Sequence, residues 1–98
     1  MAIYYNLNGS TAQTTELIKP DLDYDFTAIN ISNTHSSNDA TIDLFISDPV
    51  NVKNYYYIKN VKIPSGASVI LNESFNYNID FGLYLSIGSS DTVDVIIT

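Results

Sequence analysis

The sequence predicts an all-β domain, an antiparallel two-sheet sandwich of jelly-roll or immunoglobulin-like type with about eight strands, on three observations. First, apolar residues recur at a period of two: Leu83, Leu85 and Ile87 alternate with Tyr84, Ser86 and Gly88, and Val93, Val95 and Ile97 with Thr92, Asp94, Ile96 and Thr98. That period belongs to a strand with one face on a core. Second, the composition favours Ile, Val, Thr and Tyr, which suit a pleated surface, over the Ala, Glu, Lys and Arg that favour helices. Third, Asn-Gly, Lys-Pro, Asp-Pro and Pro-Ser-Gly pairs or triplets interrupt the apolar runs at short intervals. At 98 residues the chain is expected to form a single β-sandwich domain, 1–98, with a thin core.

Ile3 to Leu7 reads as the first strand, closed by the turn pair Asn8-Gly9. Thr14 to Ile18 is the second and ends at Lys19-Pro20. From Tyr24 to Asn33 the alternation sets Thr27, Ile29 and Ile31 on one face and Phe26, Ala28 and Asn30 on the other. The polar stretch Asn33 to Asp39 is a loop. Thr41 to Ile46 follows, with Ile42, Leu44 and Ile46 inward and Thr41, Asp43 and Phe45 outward, until Asp48-Pro49 breaks it. Asn54 to Ile63 is the longest candidate, but three consecutive tyrosines, Tyr55, Tyr56 and Tyr57, obscure its faces. A β-bulge or a second covered face there resolves the conflict. Pro64-Ser65-Gly66 turns the chain into Ala67 to Leu71, and the two alternating strands close the sequence. Phe75, Tyr77, Ile79 and Phe81 also stand at period two and allow a further strand, so a small closed barrel is the alternative architecture.

Charge narrows the function classes. Eleven acidic residues against four Lys and no Arg give a formal charge of −7, which repels phosphate backbones and offers no bidentate guanidinium; nucleic acid is excluded as an expected partner. With no Cys, disulfides, thiolate catalysis and Cys-ligated zinc are absent. No stretch approaches the 18 or so apolar residues of a membrane span, and no membrane partner is expected. His35 is the only histidine and lies in the polar loop, where solvation or a local hydrogen bond is its expected role. No nucleophile elbow, phosphate-cradling loop or dinucleotide fingerprint is present, and the expectation is a protein without enzymatic activity.

Two constellations could bind something. In Asp21-Leu22-Asp23-Tyr24-Asp25, an extended backbone sends Asp21, Asp23 and Asp25 to one face, where hard oxygen ligands suit Ca²⁺. The register fails as an EF-hand, because Phe26 stands where the loop needs Gly and Ser32 where it needs Glu. The other is aromatic and apolar: Tyr55 or Tyr57, with outward Phe45, Tyr84 and Ile96, forms a candidate protein interface, more outward apolar surface than a small solitary domain comfortably exposes. Carbohydrate could stack on the same rings, although the chain has no Trp.

The segments Leu17-Ile18-Lys19-Pro20, Phe26 to Thr34, Ala40 to Ile46, Ile63-Pro64-Ser65-Gly66-Ala67-Ser68-Val69 and Val93 to Thr98 form a strand, Asn-Thr loop, strand, Pro-x-Gly turn and closing strand pair. In this layout, over about residues 14 to 98, the chain resembles the small all-β virion proteins of tailed bacteriophages, which serve as capsid decoration, neck or tail accessory subunits. Pro20 is followed by Asp21 where those proteins often have Gly, which sets the acidic stretch apart. The resemblance carries no catalytic motif. It implies a sandwich or jelly roll, location in the virion, attachment to other virion structural proteins, and a homo-oligomer such as a trimer. The expected function is therefore a noncatalytic virion structural protein, with a carbohydrate-binding module for surface recognition as the alternative.

Overall fold

The computed structural model describes residues 2–21, 26–72 and 78–98. Among them run eight strands: β1 (Ile3–Asn8), β2 (Gln13–Ile18), β3 (Ala28–Asn33), β4 (Ala40–Asp48), β5 (Lys53–Ile63), β6 (Ser68–Asn72), β7 (Gly82–Ile87) and β8 (Thr92–Ile97). They form two four-stranded antiparallel sheets, ordered β1-β8-β3-β6 and β2-β7-β4-β5. Only β4 and β5 are both consecutive and paired; every other connection crosses to the opposite sheet. This is the double Greek-key order of a jelly roll, not the immunoglobulin order, and the two separate sheets replace the alternative of a closed barrel.

The alternation decides what is buried. Ile29 and Ile31 of β3, Val93, Val95 and Ile97 of β8, Ile42 and Leu44 of β4, and Leu83 and Leu85 of β7 are fully enclosed between the sheets. Leu7, Leu17, Ile18, Ile63 and Ile87 complete the layer, and each enclosed side chain contributes about 1.5–3 kcal/mol through removal from water. Phe26 joins this core, although strict alternation assigns it to the face opposite Ile29. The strand begins only at Ala28, so Phe26 is not bound by its pleat and turns inward, while the Thr27 amide donates to the Thr98 carbonyl (2.7 Å). The period-two signal near Ile79 and Phe81 likewise yields a turn: the Phe81 amide bonds the Asn78 carbonyl and the Asp80 amide bonds Asn78 Oδ1, both at 2.9 Å. Phe75 and Tyr77 lie outside the described residues.

In β5 the register shifts twice. Ile42 pairs with Val61, Leu44 with Ile58 and Phe45 with Tyr56, so Tyr57 is an extra residue and a second shift falls near Asn60, whose φ is 53°. The three tyrosines are thereby separated. Tyr55 pairs with inward Ile46, Tyr56 joins the outer face with Phe45, and Tyr57 sits at the bulge.

At one end of the sandwich a buried amide joins the sheets. Asn33, 2% exposed at the end of β3, donates from Nδ2 to the carbonyls of Asn38 and of Ile63 at the end of β5, both at 2.8 Å. Its Oδ1 accepts from the His35 amide (2.9 Å), and its backbone pairs with Ala67 and Gly66 across the turn after β5. Gly66, at φ 78°, takes the left-handed conformation that this turn requires. At the same end Asp91 Oδ2 accepts from the amides of Gly88 (2.8 Å) and Thr41 (3.1 Å). At the opposite end, buried Asp48 holds the β4–β5 turn through the amides of Val50 and Asn51 and the Asn51 side chain.

Two expectations follow. Asn33→Ala leaves the buried carbonyl of Ile63 without its donor and should lower stability by about 2–3 kcal/mol in urea denaturation followed by circular dichroism. The Asp48 carboxyl is held below the usual carboxylate range, chiefly by the Asn51 side chain and then by the turn amides, against the opposing effect of burial. A depressed folded value means that its stabilisation is complete above the ordinary carboxylate range and is lost as pH falls through the folded value. Denaturation midpoints should therefore decline through that acid window, and Asp48→Ala should flatten this part of the profile.

Candidate interaction surfaces

With the inner faces committed to the core, any site must lie on the outer faces or the loops. On the outer face of β2-β7-β4-β5 the register aligns Glu16, Tyr84, Phe45 and Tyr56 in one row across four strands. Phe45 and Tyr84 stack with ring centroids 5.7 Å apart and planes 16° off parallel, and Phe45 meets Tyr56 at 5.1 Å and 43°. Gly82 makes room for this row: a Cβ there would come within 2.8 Å of the Tyr84 ring. The Tyr84 hydroxyl donates to Glu16 Oε2 (2.9 Å), and Lys59 Nζ sits 4.4 Å from the Tyr56 ring centroid, a cation–π contact. Lys59 also reaches Asp43 Oδ2 at 3.7 Å, while Asp43 Oδ1 accepts from the Asn60 amide (2.6 Å).

The row is largely closed on itself. Phe45 points outward as its position in β4 implies, yet it is only 8% exposed because the tyrosines on either side cover it. Of the sequence candidates, the structure thus joins Phe45 and Tyr84 in one strip, but their partner on β5 is Tyr56 in place of Tyr55 or Tyr57. Tyr55 stacks on Phe81 (6.2 Å, 5°), and Tyr57 is displaced by the register shift. Beside the strip, Thr41, Asp43, Asn60, Ser86 and Gly88 line a hollow of about 200 Å³.

Ile96 belongs to the other outer face. There Tyr4, Ile96, Asn30 and Ile70 form a row across β1-β8-β3-β6, with Tyr4 71%, Ile96 37% and Ile70 61% exposed. The adjoining row is polar: Asn6 Nδ2 donates to Asp94 Oδ1 (2.6 Å), and the hydroxyls of Ser32 and Ser68 are 2.6 Å apart. Tyr4, Tyr5, Asn6, Asp94, Val95 and Ile96 line a hollow of about 370 Å³. Tyr4 and Ile70 were legible from alternation within their strands, since Ile3 and Tyr5, or Val69 and Leu71, face the core. Val50 and Val52, both more than four-fifths exposed on the β4–β5 turn, carry no comparable signal, because a turn has no period.

Asp21 is exposed and adopts φ 65°, with its amide donating to the Ile79 carbonyl (2.6 Å). This turn conformation departs from the extended backbone on which a shared face for Asp21, Asp23 and Asp25 depends; Asp23 and Asp25 lie outside the described residues. Among the described residues no group of three His, Asp or Glu side chains is placed to hold a metal ion. His35 is tied into its own loop, its Nδ1 accepting from the amides of Ser37 and Asn38 at 3.0 Å each.

No protein-family model matches the chain, and no curated protein matches it in sequence. Its fold is similar to that in the crystal structure of PirA, with a TM-score of 0.61 at 14% identity over 98% of this chain and 91% of that one. More distant are the nucleoplasmin-like N-terminal domain of Drosophila FKBP39 (TM-score 0.49, 12% identity, 99% and 87% covered) and the Anabaena sensory rhodopsin transducer (0.48, 16%, 92% and 96%). At these identities the likeness to PirA concerns the fold alone.

The aromatic strip has a titration signature. Burial, with the hydrogen bond and negative charge of Glu16, raises the Tyr84 phenol above its ordinary value, and burial with the Glu16 charge raises that of Tyr5. In alkaline titration followed by tyrosinate absorbance, Glu16→Gln should move two late-ionising tyrosines to lower pH without bringing them fully to the ordinary value, since burial remains.

Proposed function

We propose that this protein is a noncatalytic virion structural subunit that docks on other virion proteins, as capsid decoration or as a neck or tail accessory, through the outer face of β1-β8-β3-β6. The observation that carries the reading is the row of Tyr4, Ile96 and Ile70, apolar side chains left in water in register on one sheet. The outer face of the opposite sheet covers its own Phe45, whereas this one has no comparable cover among the described residues. The virion as destination is supported by the resemblance of the strand and turn segments to phage virion proteins. Docking there buries the apolar row, while Asn6, Asp94, Ser32 and Ser68 supply a polar rim.

The decisive measurement is the amount of protein retained on purified particles. Ile96→Lys and Ile70→Lys, each folded by circular dichroism, should reduce particle association at least tenfold, whereas unchanged association of both variants overturns the proposal. A second reading, carbohydrate recognition, is favoured by the 200 Å³ hollow beside the Tyr56 strip. It requires glycan binding by the isolated protein that Tyr56→Ala abolishes.

A further inference from the structure

Each sheet has two edges, and the four edge strands differ in how they resist pairing with another chain. β5 is broken by two register shifts and carries Lys53, Lys59 and Lys62. β2 has a register shift between Glu16 and Ile18 and carries the Glu16 charge. β6 pairs with β3 over the five described residues Ser68–Asn72 and ends in polar residues on both sides, Ser68 and Asn72. Bulges and charges are usual devices that blunt an edge. β1 has neither: all six residues from Ile3 to Asn8 pair with β8 in unbroken register, and the strand contains no charge, proline or glycine.

We infer that β1 is a self-pairing edge, and that two copies of the chain join through antiparallel β1–β1 hydrogen bonds into a continuous eight-stranded sheet. A second copy fits this edge for two reasons. In a chain of net charge −7 it is an uncharged strand, so two copies can approach along it without placing like charges opposite one another in the ladder. The pairing is also self-complementary. A two-fold axis through Tyr5 sets Tyr4 of each copy opposite Asn6 of the other, on the outer face, beside the 370 Å³ hollow bordered by Tyr4, Asn6, Asp94 and Ile96. Each exposed Tyr4 ring then covers the hollow of its partner. Because the pairing uses the same edge on both copies, it closes at two. The inference goes beyond the docking proposal by giving the docking face a symmetry, two apolar rows side by side, and does not need the virion to be tested.

The test is sedimentation velocity on the purified full chain over a wide concentration range, with Tyr4→Lys and Ile70→Lys as variants and circular dichroism as the check on folding. Both sites are well exposed on the same sheet face, but Tyr4 lies on the β1 edge and Ile70 on the far edge. The expected result is a dimer for the parent chain and for Ile70→Lys, with the dimer dissociation constant of Tyr4→Lys raised at least tenfold. A parent that stays monomeric, a trimer, a Tyr4→Lys dimer of undiminished affinity, or an Ile70→Lys variant that dissociates equally would each overturn it. Particle association is read separately: a dimer that does not bind particles removes the docking proposal and leaves this one standing.

Discussion

Everything in this molecule depends on one layer of Ile, Leu, Val and Phe side chains shared by two sheets. No helix among the described residues adds a second core and no disulfide staples the sheets; the aromatic strip around Phe45 is only a small addition to this layer. The jelly-roll order makes that dependence stricter. Because all but one of the connections change sheets, neighbours in the chain mostly face each other across the core, and neighbours in a sheet are mostly distant in sequence. β1 pairs with β8, the first and last of the described strands, so this sheet is completed only when both have been recruited. Such non-local pairing favours slow, cooperative folding.

A layer this thin leaves the rims of the sandwich exposed to competition from water, and buried polar groups hold them. Asn33 satisfies the carbonyls of Asn38 and Ile63 and the amide of His35, and its bond to Ile63 links strands of opposite sheets. Asp91 bridges the turn before β8 to the start of β4, and Asp48 organises the β4–β5 turn. Polar residues at these rims therefore act as structural ties. The same economy explains why an acidic chain need not be rich in binding sites: several of its carboxylates already accept bonds from backbone amides, which is what a sandwich with many turns demands.

The two outer faces show how equal-looking residues acquire different roles. Phe45 and Ile96 are both apolar and both outward by alternation. Phe45 has an aromatic neighbour on each adjacent strand and becomes covered; Ile96 has Tyr4 on one side and Asn30 on the other and stays partly in water. Cross-strand register makes the difference, and register couples residues nearly the full length of the chain apart. A linear reading could place each on its face but could not name its neighbours. The same limit applies to the tyrosine run, where only the shifts of β5 against β4 reveal which ring joins the strip.

By itself the sequence determined the fold class, nearly all of the strand positions and the inward set of each regular strand, because a period of two is a local property of the pleat and is written residue by residue. With no Cys, it also closed disulfide and thiolate chemistry to these residues. Where strands end, the period loses its meaning, and that is where Phe26 turned inward and Ile79 to Phe81 became a turn. Only the tertiary structure decided the jelly-roll order, the pairing of Tyr84 with Phe45 and Tyr56, the exposed row of Tyr4, Ile96 and Ile70, and the contrast between the regular, uncharged β1 edge and the charged, register-shifted edges of β2 and β5. Each of these is a relation between distant segments, fixed by long-range hydrogen-bonded register and not by any local preference of the residues involved.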